Sequence, residues 1–280
     1  MKRFLTLVLI LCITVLSLGL TACGSDGDGY IVAGSDGYYL IRIGVSPVPH
    51  AEILDYIRPF LLEDGIRLDL VEFSEFPQVN PALSDGSLDA NFFQHMPFLN
   101  NYMTNTGNEL HVVGTIHIEP MGAYSMTLSD ISELSYGAEV VIPDCPVNGP
   151  RALMLLETHG ILSLNPDVRE TATTHEIIDN PLALQFTEIA PALLPRVMLD
   201  EQGDLFIINT NHVLNGTDLN PVEDSLIMEL PDPNSPYANM LVVQPINAEN
   251  EAILTLMRHL NSDRVRAFIL RTYDGVVPVF

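Results

Sequence analysis

Hydrophobic and polar positions follow two alternating periods from residue 39 to the end of the chain. Residues 39–46 (YLIRIGVS) alternate and then turn continuously apolar, the pattern of a strand running into a core. Residues 49–66 (PHAEILDYIRPFLLEDGI) place Ile53, Ile57, Phe60 and Leu61 on one helical face, and Gly65 suits a C-cap. Residues 67–73 (RLDLVEF) alternate again through Leu68 and Leu70 and end on Phe73. Strand, helix and strand within about 35 residues predict a βαβ unit.

The alternation continues. Short helix 80–86, strand 88–93, helix 96–106 and strand 109–116 come first. Strand 138–143 follows, then a helix over 150–160 with Pro150 in its first turn. Strands 183–189 and 204–210 flank a helix at 191–199, strand 238–245 comes next, and helices 251–261 and 262–273 close the chain. This order predicts an α/β fold with mostly parallel sheets. Ligands of open α/β sheets bind beyond the carboxyl ends of the strands. The segment DANFFQHMPF (89–98) lies at such an end and sets Gln94 and His95 among phenylalanines, which marks it as a candidate pocket wall.

Composition narrows the setting. The first 22 residues carry Lys2 and Arg3 ahead of an apolar run from Phe4 to Leu20, the layout of a secretory signal. Cys23 follows Leu-Thr-Ala directly, a junction that resembles the lipobox of bacterial lipoproteins, whose new N-terminal cysteine carries the lipid. A plain signal peptide or an uncleaved anchor helix are the alternatives. Residues 23–38, rich in Gly, Ser and Asp, predict a flexible tether. The remaining stretch, 39–280, is long enough for one large domain or two lobes.

Without the leader the chain has 36 acidic against 10 basic side chains, a net of −26, which argues against nucleic acid and anionic lipid as partners. Lys2 is the only lysine, so every cation beyond the leader is an arginine. Of three cysteines, Cys12 lies in the leader and Cys23 at the lipid site, so Cys145 has no disulfide partner.

Six segments together resemble the MetQ/NlpA family, the substrate-binding lipoproteins of bacterial methionine ABC importers. They are IGVSPVPHAEIL (43–54), DANFFQHMPFL (89–99), EPMGAYS (119–125), RALMLLE (151–157), INTN (208–211) and SPYANMLVV (235–243), in order along nearly the whole chain. The resemblance implies a periplasmic-binding-protein-like fold of type II, with two lobes and a ligand cleft between them. Expected boundaries are 39–122 plus 225–280 for one lobe and 123–224 for the other. It also implies no enzymatic activity and no cofactor. The implied partners are L-methionine or a related amino acid, the permease subunits of an ABC importer, and the outer face of the cytoplasmic membrane through the lipid. Phe76 and Phe98 stand where the family commonly has tyrosine, DCPVN replaces its usual segment at 144–148, and His212 also replaces a tyrosine.

A zwitterionic amino acid sets the chemistry such a site needs. Its carboxylate calls for a guanidinium, and Arg151, just after Pro150 at a helix start, has the positive end of the helix dipole behind it. The ammonium needs acceptors, for which Asn209, Asn211 and Asn239 are candidates; turn or capping duty is their alternative. A thioether favours polarizable ring edges, pointing to Phe76, Phe93, Phe98 and Tyr124 with His95 at one edge. Strand alternation allows only one of Phe92 and Phe93 to face the ligand.

Three other readings compete. No pair of the eight histidines has i, i+4 helical spacing and no Cys-x-x-Cys cluster occurs, so no metal site is expected. Cys145 lacks a nucleophile-elbow context, which leaves an exported α/β enzyme acting on a small amino-acid-like substrate as the second functional class. A metal or a dipeptide as the bound ligand is the third.

Overall fold

The computed structural model describes residues 29–280 apart from residue 233. The leader expected over 1–22 and the lipidation site expected at Cys23 lie outside the described residues. The unit Ile31–Phe280 holds every element that follows.

The chain opens with β1 (Tyr39–Val45), α1 (Glu52–Glu63), β2 (Ile66–Glu72), α2 (Val79–Ser84), β3 (Ala90–His95), α3 (Met96–Thr106) and β4 (His111–Ile118). After Glu119 and Pro120 it enters a second sheet with β5 (Met121–Tyr124), β6 (Glu139–Pro143) and α4 (Asn148–Thr158). A small hairpin of β7 (Ser163–Leu164) and β8 (Ile177–Asp179) leads to β9 (Gln185–Ile189), α5 (Leu194–Leu199), β10 (Leu205–Asn209), α6 (Thr210–Gly216) and β11 (Ile227–Met228). The chain then returns to the first sheet with β12 (Ala238–Val243), α7 (Glu251–Leu260), α8 (Asp263–Thr272) and β13 (Val277–Pro278).

The first sheet has the order β13-β4-β12-β3-β1-β2 and the second β11-β5-β10-β6-β9. The expectation of mostly parallel sheets is corrected to mixed ones. β1 pairs in parallel with β2 and β3, and β6 with β9 and β10, as βαβ crossovers require. The other pairs are antiparallel, because β12 and β5 each enter their sheet from the passage to or from the other sheet. These passages fall at Glu119–Pro120 and between Met228 and Ala238, against expected lobe boundaries at 122/123 and 224/225.

Side-chain alternation sends each strand's residues into two cores. In β3, Phe92 packs with Ile41, Ile43 and the apolar faces of α1 and α7, while Phe93 joins Val79, Leu83 and Leu99 on the opposite face. Helix α2 and the turn after it lie so close to β1 that a Cβ on Gly44 would sit 2.9 Å from Val79 Cγ1 and 2.5 Å from Leu88 Cδ1, so a larger residue there would force buried side chains to shift. Gly65, at φ +76°, ends α1 as expected. In the second sheet, Val140, Ile142, Leu205 and Ile207 face α4, while Val141, Phe206 and Ile208 face α5.

The tether expected over 23–38 is shorter than the composition implied. Ile31 is buried in the first core; its N–H donates to Asn247 Oδ1 at 3.0 Å and its carbonyl accepts from Asn250 Nδ2 at 2.8 Å. Arg67 then stacks over the Tyr38 ring at 3.9 Å and pairs with Asp36. One apolar residue and two buried asparagines outweigh the local glycine content.

Candidate functional site

The carboxyl ends of β3 and β10 and the start of α4 converge on one small buried chamber. From the first sheet it receives Phe93, Gln94 and His95, with Asn239 from the adjoining strand β12. From the second it receives Asn148 and Arg151 on α4, and Asn209 and Asn211 at the junction of β10 and α6. Phe76 and Phe98 complete the wall, and Glu119 enters from the passage between the sheets. The chamber therefore gathers eight of the nine residues expected to bind ligand.

Arg151 is 2% exposed. Its Nε and Nη2 donate to the Glu229 carboxylate at 2.8 and 2.6 Å, and Nη2 also reaches the Glu119 carbonyl oxygen at 2.9 Å. The Tyr237 ring lies 4.1 Å from its Cζ. These contacts lock the guanidinium plane and use Nε and Nη2, so Nη1 is the corner left to a ligand. The planar fork is preset by two residues from the strap between β11 and β12, and rotamer entropy is already lost before a ligand arrives.

The acceptors differ in their engagement. Among the described residues Asn209 Oδ1 is buried without a hydrogen-bond partner, the state expected of an oxygen reserved for an incoming donor. Asn239 Oδ1 accepts from His50 Nε2 at 3.2 Å. His50 also lies 3.3 Å from Glu119 Oε1, and its Nδ1 meets Ser46 Oγ at 2.8 Å. His117 Nε2 donates to the same Glu119 oxygen at 2.7 Å. Burial pushes His50 down to about 4 and His117 to about 3, so both rings are neutral near pH 7. Burial also raises the Glu119 carboxyl, against the opposing pull of His50 and Arg151.

His50, His117 and Glu119 thus form a compact group with the donor set of a metal site, which sequence spacing did not reveal because 67 residues separate the two histidines. Imidazole N–H groups given to Glu119 and Asn239 account for these contacts without a cation. The group braces the chamber from behind.

His95 ends β3 and caps α3, its Nδ1 accepting from the Phe98 N–H at 3.4 Å. Its Nε2 lies 3.3 Å from Asn148 Oδ1. Burial and then the Arg151 charge hold it neutral, down to about 3. Gln94 is tied into a buried amide network with Asn80 and Asn91, at 2.7 to 3.0 Å. Of the two adjacent rings, Phe93 lines the chamber, while Phe92 lies behind it against His50, centroids 4.6 Å apart.

Tyr124 is the correction. It was expected among the aromatic walls, but it is fully buried with Val141, Phe206 and Met198, and its hydroxyl donates to Pro221 O at 2.9 Å. As the last residue of β5 it follows that strand's alternation onto the α5 side, away from the chamber. The sequence reading also missed Glu119, Asn148, Glu229 and Tyr237. Three of these, Glu119, Asn148 and Tyr237, sit inside segments singled out for other reasons, and Glu229 is hidden among 36 acidic residues.

The chamber itself is tight, with about 20 Å³ inside, and Phe76 and Phe98 are shared with a second, larger space of about 460 Å³. His212 borders that larger space, its ring 4.9 Å from Phe76. Cys145 borders it too, its thiol pushed up by burial.

Known proteins resemble this chain in sequence and fold. The sequence pattern of the family described as NlpA lipoprotein matches residues 41–280. The methionine-binding lipoprotein MetQ of Bacillus subtilis is 35% identical over 263 residues, which cover 93% of this chain and 93% of the relative. Among solved structures, a nutrient binding protein from Burkholderia cenocepacia bound to methionine is 32% identical with a TM-score of 0.81, over 86% of this chain and 100% of that one. A periplasmic substrate-binding protein of an ABC transporter from Coxiella burnetii is 32% identical with a TM-score of 0.79, over 85% and 99%. The fold is the two-lobed, periplasmic-binding-protein-like one that the sequence led us to expect. With a match running through the whole of both sheets, the chain belongs to the NlpA lipoprotein family.

Proposed function

We propose that this protein captures methionine, or a close amino-acid analogue, and delivers it to an ABC importer. The observation that carries the reading is a buried chamber that joins Arg151 and four asparagines to the rings of Phe76, Phe93 and Phe98. A guanidinium with one corner free suits a carboxylate, amide oxygens suit an ammonium, and ring edges suit a thioether. Glu119 adds the anion that a desolvated ammonium needs. Relatives named for methionine binding support the same ligand.

The lobes built on the two sheets close over the ligand, and Cys23 carries the lipid that tethers the exported protein to the outer face of the membrane beside its permease. Binding rather than catalysis is favoured by the Cys145 thiol. Burial raises its pKa, the opposite of what an activated nucleophile requires.

Calorimetry of delipidated protein against the twenty amino acids and both methionine enantiomers tests the reading. Stoichiometric methionine binding with the ligand recovered unchanged is expected. Absence of binding by any thioether amino acid sinks the ligand, and a consumed substrate sinks the class.

A further inference from the structure

The inner chamber and the larger space beside it differ in chemistry as well as size. Inside, charged and amide groups enclose a tight space of about 20 Å³. Outside, about 460 Å³ lies between Phe76 and Phe98 on one side and Pro146, Ala190 and Ala192 on the other, within the usual range for small-molecule sites. Phe76 and Phe98 are only half-buried, so they cover the inner chamber and still present a face to the outer one. Asn105 and Asp144 are exposed at its margin.

An amino acid held by Arg151, Glu119 and the asparagines has its charged end in the inner chamber. Its side chain has two directions to follow, a space of about 170 Å³ beyond Asn211 and the larger outer space of about 460 Å³ beyond Phe76 and Phe98, and the larger one has the rings on its wall. A methyl group on sulfur fills little of that volume.

We propose that the outer chamber is a side-chain subsite, and that the protein accepts thioether amino acids whose sulfur substituent is longer than methyl. This inference rests on the proposed methionine site. The substituents it fits are apolar chains of two to four carbons, because Phe76, Pro77, Phe98, Pro146, Ala190, Pro191 and Ala192 supply much of its lining. Each methylene buried there contributes favourably, so affinity holds or rises along the series.

The test compares L-methionine with the S-ethyl, S-propyl and S-butyl homocysteines by calorimetry, on the wild type and on Ala192→Trp and Ala190→Phe. The wild type is expected to bind the S-ethyl, S-propyl and S-butyl homocysteines no more than tenfold more weakly than methionine. Each variant narrows the outer chamber and is expected to weaken S-butylhomocysteine at least tenfold while methionine stays within threefold, methionine binding itself showing that the variant is folded. A wild-type loss of more than tenfold at S-propyl overturns the inference and leaves the methionine reading standing. So does a pair of variants that bind S-butylhomocysteine as the wild type does. Failure of all four ligands, methionine included, overturns the methionine reading instead.

Discussion

The two halves of the inner chamber are built differently. The half on the first sheet is backed by side chains whose polar atoms are largely spent on one another: His50 on Ser46 and Asn239, His117 Nε2 on Glu119 with Nδ1 left without a partner among the described residues, and Gln94 on Asn80 and Asn91. The half on the second sheet keeps binding capacity in reserve, in Asn209 Oδ1 and one corner of Arg151. The first half is a braced template held neutral by burial. The second half carries the cation, and it is fastened by Glu229 from the returning strap. Affinity should therefore depend most on the second half and acid stability mainly on the first.

The largest effect is expected from Arg151→Ala. It removes the ligand's cation and leaves Glu229 without its bidentate partner. Affinity for methionine should fall by roughly two to three orders of magnitude, and stability by about 3 kcal/mol, as for other broken buried pairs. Calorimetry and urea denaturation measure the two. Normal binding by Arg151→Ala would break the comparison, since the second half would then not carry the charge.

Acidification probes the first half. His50 is lowered to about 4, and His95 and His117 to about 3, all below the unfolded value of 6.5. The unfolded chain then binds more protons than the folded one below about pH 6.5. The stability these neutral rings supply is full above 6.5 and is lost as pH falls toward 4 to 3, at about 1–2 kcal/mol per ring by pH 5. Glu119, raised by burial, works with the opposite sign. His212, lowered to about 4 on α6, adds the same direction from the second half. Denaturation at pH 7.5 and pH 5 should show a clear drop, and His117→Phe should shrink it. A flat profile would mean that the template is not held by neutral histidines.

These particulars show which features the sequence carried. Helix α3 was legible to the residue, because periodicity, Pro97 in its first turn and Gly107 after it agree. So was the position of Arg151 at the start of a helix, which is a local feature, whereas Asn211 reads as a strand end and lies instead in the first turn of α6. Mixed sheet direction was not legible, because it depends on which sheet a strand joins after a passage. Strand β5 and helix α6 are too short to show a period. Glu229 escaped for a related reason: it meets Arg151 across 78 residues of sequence, and nothing local distinguishes it from the other acids.

A pair of asparagines sharpens the contrast at a smaller scale. Asn209→Ala removes an acceptor with no protein partner, so stability should hold while affinity falls about five- to thirtyfold, the worth of one to two hydrogen bonds. Asn239→Ala also strips an acceptor from His50, so it should lower affinity and stability together, the latter by about 1–2 kcal/mol. If the two variants behave alike in thermal denaturation, the division into braced and reserved halves fails.

The smallest effect concerns Tyr124, which tells a chamber wall from a core residue. Tyr124→Phe keeps the ring packed against Phe206 and Val141 but removes the hydroxyl that donates to Pro221 O. The carbonyl left behind can be reached by water only if the loop at 217–226 loosens. A stability loss of about 1 kcal/mol is expected, with methionine affinity unchanged within twofold. A wall residue would behave in the reverse way, since losing a hydroxyl beside the thioether would alter affinity and leave folding alone. Calorimetry and urea denaturation of this one variant therefore decide whether β5 stands behind the second half of the chamber or lines it.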